Sequence, residues 1–168
     1  VIDVGGTTSD LGVLSHGFPR ESGVAVTIGG VRTNFRMPDV VSIGLGGGSI
    51  VRVADDGSVT VGPDSVGYAI TERALVFGGD TMTATDIAVR LGMASVGDPS
   101  LVADISQDVA ERAMAVMRAM VEDAIDVMKV SSDPIDVVLV GGGAIVLPHE
   151  LAGTAVVDCG ESGSTLRF

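Results

Sequence analysis

Cysteine and aromatic side chains are nearly absent from this chain. A single cysteine, Cys159, and only two histidines exclude an internal disulfide framework and a cysteine-based zinc finger. Such usage fits a reducing compartment, with the cytoplasm as the expected location. Basic residues are scarce as well: 10 lysines and arginines stand against 22 acidic residues, a net charge of −12. A surface of that sign repels phosphate backbones and anionic lipid, so neither nucleic acid nor a membrane is an expected partner. No run reaches the ~18 apolar residues of a membrane-spanning helix, and Val1–Asp10 lacks the basic start of a signal peptide. There is no initiating methionine; the chain opens at Val1, inside what reads as a buried strand, as expected for a piece of a longer protein.

Glycine is abundant, at 24 of 168 residues, against a usual frequency of about 7%. Hydrophobic residues at 46% exclude a disordered glycine-rich linker, so the glycines punctuate a folded domain. A chain of this length reads as one domain and buries roughly two-thirds of its unfolded surface.

The first part of the chain reads as β structure. Val1–Val4 and Leu11–Leu14 are strands joined across Gly5-Gly6-Thr7-Thr8-Ser9-Asp10, and Val24–Ile28 is expected as the third strand of the same sheet. Val40–Ile43, Ile50–Val53 and Val59–Val61 follow, the last two joined by an Asp-Gly turn at Asp56-Gly57 that accepts the positive φ of a tight hairpin. Thr85–Leu91 is expected as a short helix with Thr83 or Thr85 at its N-cap and Gly92 as its stop. A long helix is expected from about Leu101 to about Lys129, with Ile105, Val109, Ala113, Val116, Met117, Met120, Ala124, Val127 and Met128 on its apolar face. Val137–Val140 then reads as a strand covered on both faces, running into Gly141-Gly142-Gly143 and a short helix, with Ala155–Val157 as a further strand.

Two stretches carry chemistry. In Asp3-Val4-Gly5-Gly6-Thr7-Thr8-Ser9-Asp10, small residues let backbone N–H groups approach a phosphate, Thr7 and Thr8 add hydroxyl donors, and the flanking Asp3 and Asp10 can hold Mg²⁺ through water. A tight hairpin with solvated aspartates is the alternative. In Val140-Gly141-Gly142-Gly143-Ala144 the missing Cβ atoms would let an adenosine ring lie flat, or the glycines serve only a strand-to-helix turn. His16 and His149 read as turn residues, since no second ligand stands at metal spacing.

Together these stretches resemble the actin, hexokinase and chaperone-type ATPase superfamily, whose halves open with a strand–DxGGTxxD–strand phosphate loop and whose second half carries a glycine-rich adenosine loop. Having one of each in that order, the chain looks like the second half alone. A narrower resemblance, to the hydantoinase A / 5-oxoprolinase family, rests on Ser42-Ile43-Gly44-Leu45-Gly46-Gly47-Gly48-Ser49-Ile50, then Val61-Gly62-Pro63-Asp64-Ser65-Val66-Gly67, Phe77-Gly78-Gly79-Asp80 and Thr83-Ala84-Thr85-Asp86. Where that family commonly has Pro-Gly-Pro, this chain has Tyr68–Val76, and the tail Asp158–Phe168 lacks the expected alanine- and glycine-rich closing helix.

The resemblance implies an α/β fold, the mixed-sheet half of an actin-like, ribonuclease H-like ATPase. Residues 1–29 and 100–168 would form its core and 30–99 a β-rich insertion. It implies ATP-dependent hydrolysis of a cyclic amide, with ATP and Mg²⁺ as cofactors. The partners implied are a cyclic-amide small molecule, the missing N-terminal half of the parent chain and a second hydantoinase subunit. Gly5, Gly6, Thr7 and Thr8 would bind phosphate, and Asp3 and Asp10 would serve catalysis and hold Mg²⁺. Gly141, Gly142 and Gly143 would bind adenosine, Gly46, Gly47, Gly48 and Ser49 would lie at the nucleotide, and Asp80, Thr83, Thr85 and Asp86 on the substrate side. The alternatives are a sugar or small-metabolite kinase of the same fold and a non-catalytic nucleotide-binding module.

Overall fold

The computed structural model describes residues 1–21, 26–28, 30–33 and 37–157. Its elements in chain order are β1 (Ile2–Val4), β2 (Ser9–Gly12), β3 (Leu14–Ser15), β4 (Phe18–Pro19), β5 (Val26–Ile28), β6 (Val31–Thr33), β7 (Val40–Ile43), β8 (Ser49–Val53) and β9 (Val59–Ser65). They are followed by α1 (Ile70–Arg73), α2 (Ala84–Arg90), α3 (Gln107–Met128), β10 (Ile135–Val140) and β11 (Thr154–Val157). Among the described residues no helix is long and apolar enough to cross a membrane.

Among the described residues the central sheet has five strands in the order β11-β10-β1-β2-β7. β10 runs parallel to β1, and β11 to β10, while β2 is antiparallel to both β1 and β7. This is the mixed α/β sheet expected. Its third strand is not the one expected: Val26–Ile28 pairs instead with Val31–Thr33 in a separate hairpin, and Val40–Ile43 takes the place beside β2. The stretch 30–99, expected as an insertion, therefore supplies an edge strand of the central sheet.

Side-chain alternation sets which face is covered. Ile2, Val4, Ser9 and Leu11 are buried on one face, where α3 lies across β2 and β7. Asp3 and Asp10 emerge on the other. β10 is less covered than its continuous apolar run suggests, since Val137 alone among its residues is buried. α3 starts later than expected. A 3-10 turn occupies Pro99–Val102, and Ser106 then caps the helix by accepting from the Val109 amide at 3.2 Å. Its buried stripe is Ala110, Ala113, Met114, Met117, Val121, Ala124, Ile125 and Met128, rotated from the expected face, so that Val127 is 73% exposed.

Local signals were followed closely elsewhere. The Asp-Gly turn joins β8 to β9, and His16 and Gly17, with φ of 54° and 83°, turn the chain from β3 to β4. Gly92, φ 72°, follows α2. Cys159 and the rest of the tail lie outside the described residues.

Candidate nucleotide half-site

The connection between β1 and β2 is a short loop closed by the Gly5 amide donating to the Thr8 carbonyl at 2.9 Å. Among the described residues the amides of Gly6, Thr7 and Thr8 meet no acceptor, and the hydroxyls of Thr7 and Thr8 have no partner. Gly6, Thr7 and Thr8 are exposed. The loop thus presents a cluster of hydrogen-bond donors to solvent, as an anion requires.

The glycines after β10 stand against this loop although most of the chain separates them. A Cβ at Gly141, whose φ is 87°, would fall 2.4 Å from both Asp3 Oδ1 and the Val4 carbonyl oxygen, and one at Gly143 would fall 2.3 Å from the Gly5 carbonyl oxygen. No side chain fits there, so these two positions bring the turn Gly142–Val146 onto the end of β1. The parallel pairing of Asp3 with Val140 holds the two strand ends level. Gly6 and Gly142 differ from their neighbours: a Cβ at either would meet nothing within 4 Å, and neither has a positive φ. Among the described residues nothing closes the space beside these two positions.

Asp3 and Asp10 are direct cross-strand partners on the exposed face of the sheet. Such pairs hold their Cβ atoms ~5 Å apart, and like charges there repel. Asp10 Oδ1 accepts from the Ser42 hydroxyl on β7, a residue that the sequence reading quoted at the head of the Ser42–Ile50 stretch without giving it a role. Its signal was present: Ser42 is the polar member between Val41 and Ile43, and alternation turns it to the open face. Among the described residues, no group of three or more His, Cys, Asp or Glu could hold a metal. Mg²⁺ does not need one, since it commonly takes one or two carboxylates and completes its shell with phosphate oxygens and water. The pair of aspartates beside a donor-rich loop fits that requirement.

Gly46, Gly47, Gly48 and Ser49 are buried, and the reason lies in their hydrogen bonds. Gly47 and Gly48 donate to the carbonyls of Gly5 and Gly6 at 3.0 and 2.7 Å, Gly46 donates to Ser49 Oγ at 2.8 Å, and the Ser49 amide donates to the Gly46 carbonyl at 3.0 Å. With those amides consumed, the segment has none to offer a ligand. It braces the β1–β2 loop from behind. A Cβ at Gly46 would lie 2.6 Å from the Thr7 nitrogen, and Ser9 Oγ donates to the Leu45 carbonyl at 2.7 Å within the core. The following turn is tied to the same loop through Ser65, whose hydroxyl donates to the Gly6 carbonyl at 3.3 Å, and through the Val66 amide, which donates to the Gly48 carbonyl at 2.9 Å.

The residues expected on a substrate side divide in two. Asp80 is exposed, accepting from Thr81 Oγ1 at 2.8 Å. Thr83, Thr85 and Asp86 are buried and are not presented to a substrate. Thr83 and Asp86 form the capping box of α2, the Asp86 carboxylate accepting from the Thr83 amide, the Thr83 hydroxyl and the amides of Leu75 and Val76. Thr85 donates its hydroxyl to the Gly47 carbonyl at 2.9 Å, so α2 holds the bracing segment in place.

The hydantoinase/oxoprolinase family matches this chain over residues 1–98. The acetophenone carboxylase gamma subunit of Aromatoleum aromaticum is 35% identical over 91 residues, which are 54% of this chain and 12% of that protein. Among solved structures, nucleotide-free acetone carboxylase, described as carboxylating acetone in an ATP-dependent reaction, superposes with a TM-score of 0.63 at 22% identity, over 88% of this chain and 24% of that one. The ATP-dependent caprolactamase of Pseudomonas jessenii superposes with a TM-score of 0.68 at 24% identity, over 86% of this chain and 25% of that one. The chain spans an eighth to a quarter of the length of these relatives.

Proposed function

We propose, for a chain that belongs to the hydantoinase/oxoprolinase family, that it supplies half of the nucleotide site of an enzyme that uses ATP to activate a carbonyl oxygen, most simply that of a cyclic amide before ring opening. The observation that carries this is the meeting of the Gly5–Thr8 loop with the Gly141–Gly143 turn, with free donors and two carboxylates at the junction.

Phosphoryl transfer asks a protein chiefly for positioning and charge. The amides of Gly6, Thr7 and Thr8 and the two threonine hydroxyls would take the phosphate oxygens, and the open faces of Gly6 and Gly142 would admit the nucleotide. Asp3 and Asp10 would hold Mg²⁺ through water and orient the transferring group. Bound there, Mg²⁺ supplies charge neutralisation of the phosphates. The bond from the γ-phosphorus to ADP breaks as one to the amide oxygen forms. One water would add to the activated carbon and the ring C–N bond would open, the nitrogen leaving protonated and an acyl phosphate remaining; a second water would hydrolyse this to the carboxylate and inorganic phosphate, and ADP would leave. Gly46–Ser49, Thr83, Thr85 and Asp86 act behind the loop by fixing its shape, and Asp80 is the member of the substrate-side group that is open to solvent. The other half of the parent chain would close the cleft, and a second hydantoinase subunit would complete the hydrolysis in the cytoplasm; the isolated piece is inactive on this reading. A ketone in place of the ring amide is the second reading, favoured by the 35% identity to the acetophenone carboxylase subunit.

The test is phosphate release by the full-length parent with its partner subunit, supplied with ATP and a panel of cyclic amides and ketones. Release that depends on one of these carbonyl compounds is the expected result. A stable phosphorylated alcohol product would instead make the parent a kinase, and stoichiometric nucleotide binding without turnover would make it a regulatory module.

A further inference from the structure

Asp3, Asp10 and Ser42 form one row across the open face of the sheet, Asp10 standing in register with Asp3 on β1 and with Ser42 on β7. The row is asymmetric. Among the described residues Asp3 has no hydrogen-bond donor, whereas Asp10 receives the Ser42 hydroxyl on Oδ1. A carboxylate that is held by one neighbour at one oxygen loses freedom of rotation, and its second oxygen is left for another partner. The strand carrying Ser42 is anchored independently of this bond, by its ladder with β2 and by the Ser9–Leu45 hydrogen bond immediately beyond it. The hydroxyl is therefore delivered from a fixed backbone.

We propose that Ser42 is a positioning residue, whose hydroxyl fixes the Asp10 carboxylate so that its free oxygen serves the divalent cation of the nucleotide site. The inference rests on the reading of Asp10 given above. It adds a residue from the third strand to a site otherwise built from the β1–β2 loop and the turn after β10. Outer partners of this kind orient the groups that meet a metal, and losing one costs about 10-fold or more in affinity or rate.

The experiment uses the full-length parent with its partner subunit and compares Ser42→Ala, Ser42→Thr and Asp10→Asn. Four quantities are read: kcat for phosphate release, KM for ATP at saturating Mg²⁺, binding of Mn²⁺ in the presence of ADP by electron paramagnetic resonance, and the melting temperature. Expected for Ser42→Ala is a kcat about tenfold lower and Mn²⁺ binding about tenfold weaker, with KM for ATP and the melting temperature unchanged. Ser42→Thr, which keeps the hydroxyl, restores both. If Ser42→Ala matches the wild type in rate and Mn²⁺ binding while Asp10→Asn loses both, the Ser42 proposal is wrong and the role of Asp10 stands. If Asp10→Asn itself behaves as wild type, the reading of Asp10 falls and the proposal with it. A lowered melting temperature in Ser42→Ala, with activity that threonine does not rescue, would reduce the residue to a structural role and overturn the proposal.

Discussion

At the scale of single residues, the glycines divide by what a Cβ would meet. Gly46, Gly141 and Gly143 are closed by backbone atoms, at 2.6, 2.4 and 2.3 Å respectively. Alanine at any of them is expected to cost about 2 kcal/mol or more, measured as a lowered melting temperature. Gly6 and Gly142 have open space, so Gly6→Ala and Gly142→Ala should leave the melting temperature nearly unchanged while weakening ADP binding in the full-length parent by about tenfold, the equivalent of 1.4 kcal/mol. Equal melting losses in both groups would remove the distinction on which the site is drawn. The sequence could not make this division. A glycine required by a neighbouring backbone and one required by a ligand are the same letter, and Gly46–Ser49 looked like a second ligand loop for that reason.

At the scale of elements, α2 was read as a short helix capped by Thr83 or Thr85, which the structure has with Thr83 as the cap, while the same residues were also expected on the substrate side, where the burial of Thr83, Thr85 and Asp86 does not present them. Thr83-Ala84-Thr85-Asp86 has the spacing of a capping box, and Asp86 has no exposure to solvent. Its carboxylate accepts from the Leu75, Val76 and Thr83 amides. Asp86→Ala would strand these donors away from water, and a loss of about 3 kcal/mol or more is expected in a denaturant midpoint. A substrate-binding Asp86 would instead change KM and leave the midpoint alone. Hairpins were legible because Asp-Gly and glycine turns are local. The partner of β2 was not, since Val24–Ile28 and Val40–Ile43 are equally apolar and the choice between them is made by long-range pairing. The start of α3 shifted for a similar reason, with Asp98 and Pro99 opening a 3-10 turn before Ser106 sets the true cap. Met117, fully buried at the centre of α3, is where that helix meets the core; Met117→Ala should cost about 2–5 kcal/mol, read from unfolding curves.

At the scale of the whole molecule, Asp3, Asp10 and Ser42 share the open face of a sheet whose other face is core, and the proposed site lies on that open face. The two glycine loops were legible as phosphate and adenosine candidates because each follows a strand. That they touch through Gly141, Gly143, Val4 and Gly5 is a consequence of β10 pairing in parallel beside β1, which neither motif contains. Asp3→Asn and Asp10→Asn in the full-length parent are expected to lower kcat for carbonyl-dependent phosphate release by about 100-fold or more, with the fold retained because both side chains lie on the solvent side of the sheet. An unchanged rate in both variants would leave the paired carboxylates without a part in the chemistry.

The claim that these loops form one nucleotide half-site is tested most directly by backbone hydrogen exchange of the full-length parent with and without Mg²⁺ and ADP. The account predicts that protection appears together at Gly6–Thr8 and Gly141–Gly143, while Gly46–Ser49, whose amides are already bonded and buried, exchanges slowly in both states. Nucleotide binding that leaves both loops unprotected, or protects only one of them, would contradict it.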